Sequence, residues 1–354
     1  MSEPDFAQSL QMLYGSPAPQ VTIEKLVGDA SSRRYFRVRA GDASRPPSRA
    51  IIMQLPEDAV RSDEGGSQPT TTRLPFLEVA DLLRAAGVRV PTVYVEHLEK
   101  GQLVLEDLGD MTFERALRET SRAEWPEAYA HAVDLLAELH ERCAIVPPTS
   151  IVAQRSFDEA LLNWELDHFR TWGLEALFGA LGPRPGEHLA DAFRTIVSEM
   201  RAMPYGFVHR DYQSKNLMVD VDRSLTVIDF QDAMRGPRTY DLVALLCDSY
   251  VSLGLTLQNA MIDRYAAARR IDAGQVRDEF WVVALHRKLK DAGRFVFIDR
   301  QRSNPAFLQW YPQSLVYVGR ALEESGRFSA LGDVLESQIP GFPGDVDKPS
   351  AISE

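Results

Sequence analysis

Residues 207–240 read FVHRDYQSKNLMVDVDRSLTVIDFQDAMRGPRTY. At the centre, LMVDVDRSLTVIDF sets two short apolar runs on either side of a polar turn, VDRS, and predicts a β-hairpin. Closing that hairpin brings Asp211 and Asn216, in the loop before it, close to Asp229 at its far end. A single loop Asp is most often a cap or turn former. Two carboxylates and an amide gathered by one hairpin make a stronger pattern.

The chain on either side of the hairpin differs in character. Upstream, VTIEKLV (21–27), YFRVRA (35–40) and RAIIMQLP (49–56) predict strands. The turn-like GDASSRR separates the first two. FLEVADLLRAAG (76–87) has helical spacing and closes on Gly87, and PTVYVEH and QLVLEDLG add two further strands. VRSDEGGSQPTTTR (60–73) reads as a surface loop. After Gly109, TFERALRE, EAYAHAVDLLAELHER, FDEALLNWELDHFRTWGL and HLADAFRTIVSEMRA all carry the 3.6-residue period, with LGPRPGE (181–187) as a separator. The expected organisation is α+β and two-lobed. A small β-rich lobe with one main helix spans 1–104, a connection 105–109, and a larger helical lobe 110–338. A loosely held tail, 339–354, completes it. A cleft between such lobes is a natural ligand site.

Composition narrows the function. The 354 residues are 45% hydrophobic and 25% charged, an ordinary globular balance. The net charge of -12 repels a phosphate backbone, so nucleic acid is not an expected partner. A phosphorylated small molecule stays admissible, because a bound divalent cation supplies positive charge locally. Two cysteines, Cys143 and Cys247, without a paired motif indicate neither a disulfide framework nor a zinc site. No cationic n-region precedes an apolar run near Met1, and DLVALLCDSYVSLGL is too short to span a bilayer. The expectation is a cytoplasmic protein with no membrane partner, and nothing in the sequence marks an obligate protein partner.

The chemistry of the hairpin cluster follows from its residue types. Hard cations such as Mg²⁺ prefer oxygen ligands and take one or two protein groups plus substrate phosphates. Asn216 and Asp229 suit that demand, which leaves Asp211 to orient or deprotonate a hydroxyl nucleophile, as in phosphoryl transfer. The His209 ring is expected to hold backbone groups rather than perform chemistry.

HRDYQSKN, followed by VIDF and GPRTYDLVALLCD, resembles the aminoglycoside phosphotransferase/choline kinase-like superfamily, and the resemblance covers most of the chain. It implies the bilobed protein-kinase fold, ATP and Mg²⁺ as cofactors, and a small-molecule acceptor. It also implies Asp211 as the catalytic residue, Asn216 and Asp229 as metal ligands, and His209 and Asp241 as supports of the catalytic loop. GDASSRRYFRV resembles the loop over the nucleotide phosphates, so Ser31, Ser32, Arg33 and Arg34 become candidate ATP contacts. LVLEDLGD resembles the hinge that binds adenine, at Glu106 and Leu108. Only eleven residues lie between Asp229 and Asp241, too few for a phosphorylatable activation segment. GDASSRRYFRV, AIIMQLPED and HRDYQSKNLM…VIDFQDA most resemble the branch that phosphorylates the C1 hydroxyl of N-acetylmuramate and N-acetylglucosamine in peptidoglycan recycling. Aminoglycoside, choline or another small molecule remains the alternative acceptor.

One departure stands out. The third strand, AIIMQLP, has Met53 or Gln54 where a kinase-like fold carries a phosphate-binding Lys, so Glu78 in the following helix lacks its usual partner. Either another cation, such as Arg33 or Arg34, replaces it, or the chain is an inactive nucleotide-binding relative. For the amino-sugar substrate, NWELDHFRTW (163–172) offers Glu165 and His168. LHRKLKDAGRF offers Arg287 and Lys290, one helical turn apart, for an anionic lactyl group.

Overall fold

The computed structural model describes residues 4–26, 33–42, 46–56 and 73–349. The first lobe contains α1 (Ala7–Tyr14), β1 (Val21–Lys25), β2 (Arg34–Ala40), β3 (Arg49–Gln54), α2 (Pro75–Ala85), β4 (Val93–His97) and β5 (Gln102–Glu106). The second begins with α3 (Phe113–Glu119), α4 (Trp125–Arg142), α5 (Ile151–Gln154) and α6 (Glu159–His168), which runs into a π-helical stretch, Phe169–Glu175, and α7 (Ala176–Phe178). It continues with α8 (Pro183–Ala202), β6 (Tyr205–Val208), β7 (Leu217–Val219), β8 (Leu225–Val227), β9 (Met234–Pro237) and α9 (Tyr240–Leu246). It ends with α10 (Leu255–Arg269), α11 (Ala273–Arg302), α12 (Tyr311–Ser325) and α13 (Ser329–Gln338).

The five strands of the first lobe form an antiparallel sheet in the order β1-β2-β3-β5-β4. Strand alternation gives each face its own core. Phe36, Val38, Ala50, Ile52 and Val104 bury one face under Phe6 and Leu10 at α1. Met53, Leu103 and Leu105 join α2 and the second lobe on the other. Phe76 of α2 stacks on Phe230 beyond the hairpin, with ring centroids 4.9 Å apart, so the two lobes share apolar packing beside the site.

In the second lobe, β7 and β8 form the expected hairpin and β6 pairs with β9. These short strands frame the loops carrying Asp211 and Asp229. The helix α11 packs on both α12 and the π-helical stretch. Gly293 permits that approach: a Cβ there would lie 2.7 Å from the Phe169 Cα and 3.0 Å from the His168 carbonyl.

One boundary differs from expectation. Residues 183–187 are not a separator but the first turn of α8, where proline's missing N–H needs no partner. At the start of the tail Ile339 is fully buried, and a Cβ on Gly319 would collide with Pro343, while most of residues 340–349 are exposed. Among the described residues no helix is long and apolar enough to cross a membrane.

Candidate active site

The loop after β6 is held mainly through its backbone. Asp241, in the first turn of α9, accepts the amides of His209 at 2.7 Å and Arg210 at 2.9 Å, and His140 Nε2 lies 3.1 Å from the same carboxylate. The His209 ring is fully buried. Its Nδ1 accepts the Asp211 amide at 3.3 Å, so its Nε2–H donates to the Ile228 carbonyl at 3.0 Å. One imidazole thereby ties the loop carrying Asp211 to the strand end carrying Asp229.

Asn216, Asp211 and Asp229 meet as the hairpin predicts. Asn216 Nδ2 donates to the Asp211 carbonyl at 2.9 Å, and the Asn216 carbonyl accepts the Ile228 amide at 3.0 Å. With its nitrogen engaged, the Asn216 amide has its oxygen left to act as a ligand. Asp229 adopts φ +62°, a left-handed conformation uncommon for a residue with a side chain. Partial burial pushes its carboxyl above the usual carboxylate range, and the neighbouring Asp211 charge adds to that push. Arg33, 3.6 Å from Asp229, works in the opposite direction. Gln231 Nε2 also donates to Asp229, at 3.0 Å. Two hard oxygen donors beside a further carboxylate fit a divalent cation shared with phosphates. Among the described residues no cluster of three or more His, Cys, Asp or Glu would hold a metal alone.

The candidate nucleotide contacts divide. Ser31 and Ser32 lie outside the described residues. Arg33 reaches the site and shares a face with Tyr35, whose hydroxyl is pushed up by burial and by Asp229. Arg34, the next residue, turns to the opposite face of the strand. Met53 is fully buried on the face that meets α2, and Gln54 donates at 3.1 Å to the Lys100 and Gly101 carbonyls, so β3 offers no cation there. Glu78 accepts the Ile151 amide at 2.5 Å, at the start of α5. Glu106 and Leu108 lie at the junction between lobes. The Glu106 carboxylate, held at about 2 by Arg89, also accepts the Thr92 amide and hydroxyl.

The expected acceptor residues are deeper than the sequence suggested. Glu165 is fully buried and accepts Arg210 Nη2 at 3.0 Å. Arg287 is 1% exposed, and its two terminal nitrogens donate to the Arg210 carbonyl at 2.7 Å and to Asp211 Oδ1 at 3.2 Å. Both side chains therefore sit behind the loop that carries Asp211. Lys290 is buried 3.8 Å from Asp291, whose carboxyl burial would raise but which Lys288, Arg287 and Lys290 hold at about 2. His168 stacks on Trp164 at 5.1 Å and packs on Phe297 at 4.9 Å, in an aromatic cluster joining α6 to α11.

A further residue escaped the sequence reading. Arg37, on the cleft face of β2, donates to Asp107 at 3.0 Å, to Asp110 at 3.1 Å and to the Gly109 carbonyl at 3.1 Å. It clamps the connection between the lobes from above. A charged residue at an inward position of YFRVRA was the available signal.

Comparison with known proteins follows the same lines. A model of a phosphotransferase enzyme family matches residues 22–280. An N-acetylmuramate/N-acetylglucosamine kinase of Pseudomonas aeruginosa is 32% identical over 325 residues, covering 88% of this chain and 87% of its own. A protein of the same description from Neisseria meningitidis is 28% identical over 333 residues, covering 91% and 90%. Among solved structures, choline kinase LicA from Streptococcus pneumoniae is similar at a TM-score of 0.57 and 12% identity, over 91% of this chain and 97% of that one. The ADP-bound aminoglycoside phosphotransferase APH(2'')-Ib is similar at 0.55 and 15%, over 88% and 94%. These likenesses establish the two-lobed, protein-kinase-like fold.

Proposed function

Because this chain belongs to the phosphotransferase enzyme family, we propose that it is an ATP- and Mg²⁺-dependent kinase of amino sugars. It phosphorylates the anomeric C1 hydroxyl of N-acetylmuramate or N-acetylglucosamine, in cytoplasmic peptidoglycan recycling. The description shared by the relatives supports the acceptor. The observation that carries the reaction type is the disposition of Asp211: one oxygen rests on Arg287, while the side chain is 36% exposed beside Asn216 and Asp229.

Asn216 and Asp229 would hold Mg²⁺, which when bound offsets the charge of the donor phosphates. Asp211 orients the acceptor hydroxyl and receives its proton. The new bond joins the sugar oxygen to the γ-phosphorus, the bond from that phosphorus to the ADP oxygen breaks, and the proton passes from Asp211 to solvent. An anomeric hydroxyl is more acidic than an ordinary alcohol, so a carboxylate is a sufficient base. Arg33 supplies the cation that β3 lacks, on the phosphate side of Asp229.

The test is turnover of Mg-ATP with a panel of N-acetylmuramate, N-acetylglucosamine, choline and kanamycin, read as ADP release. Release with either amino sugar, well above that with choline and kanamycin, supports the reading. Release with choline or kanamycin alone would move the chain to another acceptor class, and release with none would remove the kinase assignment.

A further inference from the structure

The hydrogen bonds behind Asp211 assign roles to two residues first considered for substrate binding. A single guanidinium, that of Arg287, spans the Arg210 carbonyl and the Asp211 carboxylate. Reading a peptide oxygen and the next side chain with one rigid plane fixes how that side chain is rotated about its own backbone. It also distinguishes the two Asp211 oxygens: Oδ1 is engaged, and Oδ2 remains for the cleft. Arg287 itself is 1% exposed, so its head group is sealed from an acceptor in the cleft.

The support extends one layer further back. Arg210 adopts φ +81°, with its amide on Asp241, its guanidinium on Glu165 and its charge 5.7 Å from the centre of the Phe157 ring. A buried arginine requires a buried anion. Here the anion is built into α6, and the close contact between Gly293 and Phe169 brings α6 against α11.

We propose that Arg287 is a positioning residue for Asp211, and that Glu165 is the resident anion that keeps the catalytic loop in working geometry through Arg210. The proposal rests on the reading of Asp211 as the group that handles the acceptor hydroxyl. Transfer requires that hydroxyl to be aimed at phosphorus within a small tolerance. A carboxylate freed from Arg287 rotates and exchanges its oxygens, so the reacting geometry is lost while the binding surfaces for nucleotide and sugar persist.

Steady-state kinetics with Mg-ATP and N-acetylglucosamine or N-acetylmuramate test this on Arg287→Met, Arg287→Lys and Glu165→Gln, beside Asp211→Asn. The expected result for Arg287→Met is a fall in kcat of about 100-fold, with both KM values and the Mg-ATP Kd within about threefold of wild type. Arg287→Lys falls less, because an ammonium serves one of the two partners without the planar fork. Glu165→Gln lowers kcat at least about tenfold with the same KM pattern. Wild-type kcat in Arg287→Met, or a loss confined to the sugar KM, overturns the proposal. If Arg287→Met does not fold, Arg287→Lys decides by the same criteria. Normal turnover in Arg287→Met beside an inactive Asp211→Asn would remove this inference alone. An inactive wild type, or a fully active Asp211→Asn, would remove the reading of Asp211 with it.

Discussion

Asp241 holds the backbone amide of Arg210 at 2.9 Å while Arg210 sits at φ +81°. A side-chain-bearing residue occupies that region only when its surroundings enforce it. The second oxygen of Asp241 takes the His209 amide, so one buried carboxylate satisfies two consecutive N–H groups. Asp241→Asn preserves shape but turns an NH₂ group toward one of them. The expected cost is about 2 kcal/mol in chemical denaturation, the scale for stranding a buried donor. The expected fall in kcat is at least about tenfold, without a matching change in Mg-ATP affinity.

Gly293→Ala tests the contact that brings α6 to α11. The added methyl meets backbone atoms, the Phe169 Cα at 2.7 Å and the Phe169 nitrogen at 2.9 Å, and these cannot rotate away. Overpacking of this kind costs roughly 1–3 kcal/mol. The denaturation midpoint should fall accordingly, and kcat should fall with it because Glu165 and Arg287 approach the Asp211 loop from these two elements.

The buried His286 gives a pH dependence with a definite sign. Burial lowers its affinity for protons, opposed by Glu165, while Lys290 and Arg287 reinforce the lowering. The folded chain therefore carries a neutral His286 in a range where the unfolded chain binds a proton. Stability contributed by this neutral ring is complete above the unfolded value of about 6.5 and is lost as the pH falls from there toward the lower folded value. The limiting slope for one group is about 1.4 kcal/mol per pH unit. His286→Gln should flatten the dependence just below about pH 6.5 relative to wild type, as read by denaturation at each pH. Equal slopes would contradict this account.

Arg33 and Arg34 are adjacent in sequence and separate in space. Arg33 lies 3.6 Å from Asp229, whereas alternation along β2 turns Arg34 to the other face. Arg33→Met should raise the KM for ATP by about tenfold, the scale of one lost charge-assisted contact. Arg34→Met should leave it within about twofold, and steady-state titration of ATP separates the two.

The strands β1 to β5 were legible because apolar runs and breakers alternate clearly along that part of the chain. The eight-residue α1 was not, because what fixes it is tertiary: Phe6 and Leu10 cover one sheet face, and Ser9 bonds to Gln102 at 2.6 Å. The placing of Asp211, Asn216 and Asp229 was legible because one hairpin closes the distance between them. The positions of Glu165 and Arg287 were not, since they reach the loop from helices 45 and 77 residues away. A signal was nevertheless present. In FWVVALHRKLKD, His286, Arg287 and Lys288 are consecutive and cover about 200° of a helix, more than a solvent face on an otherwise apolar segment accommodates. At least one of them had to be buried, and a buried cation needs an anion. Arg37 stayed hidden because its partners, Asp107, Gly109 and Asp110, are brought to it only by the sheet.

The most direct measurement is ³¹P NMR of the product formed from Mg-ATP and N-acetylglucosamine or N-acetylmuramate, with wild type and Asp211→Asn run in parallel. Wild type should give an acid-labile sugar 1-phosphate, and Asp211→Asn a rate lower by at least about 100-fold. A phosphate on another hydroxyl would contradict the anomeric acceptor. No product with either sugar, or full activity in Asp211→Asn, would contradict the central claim.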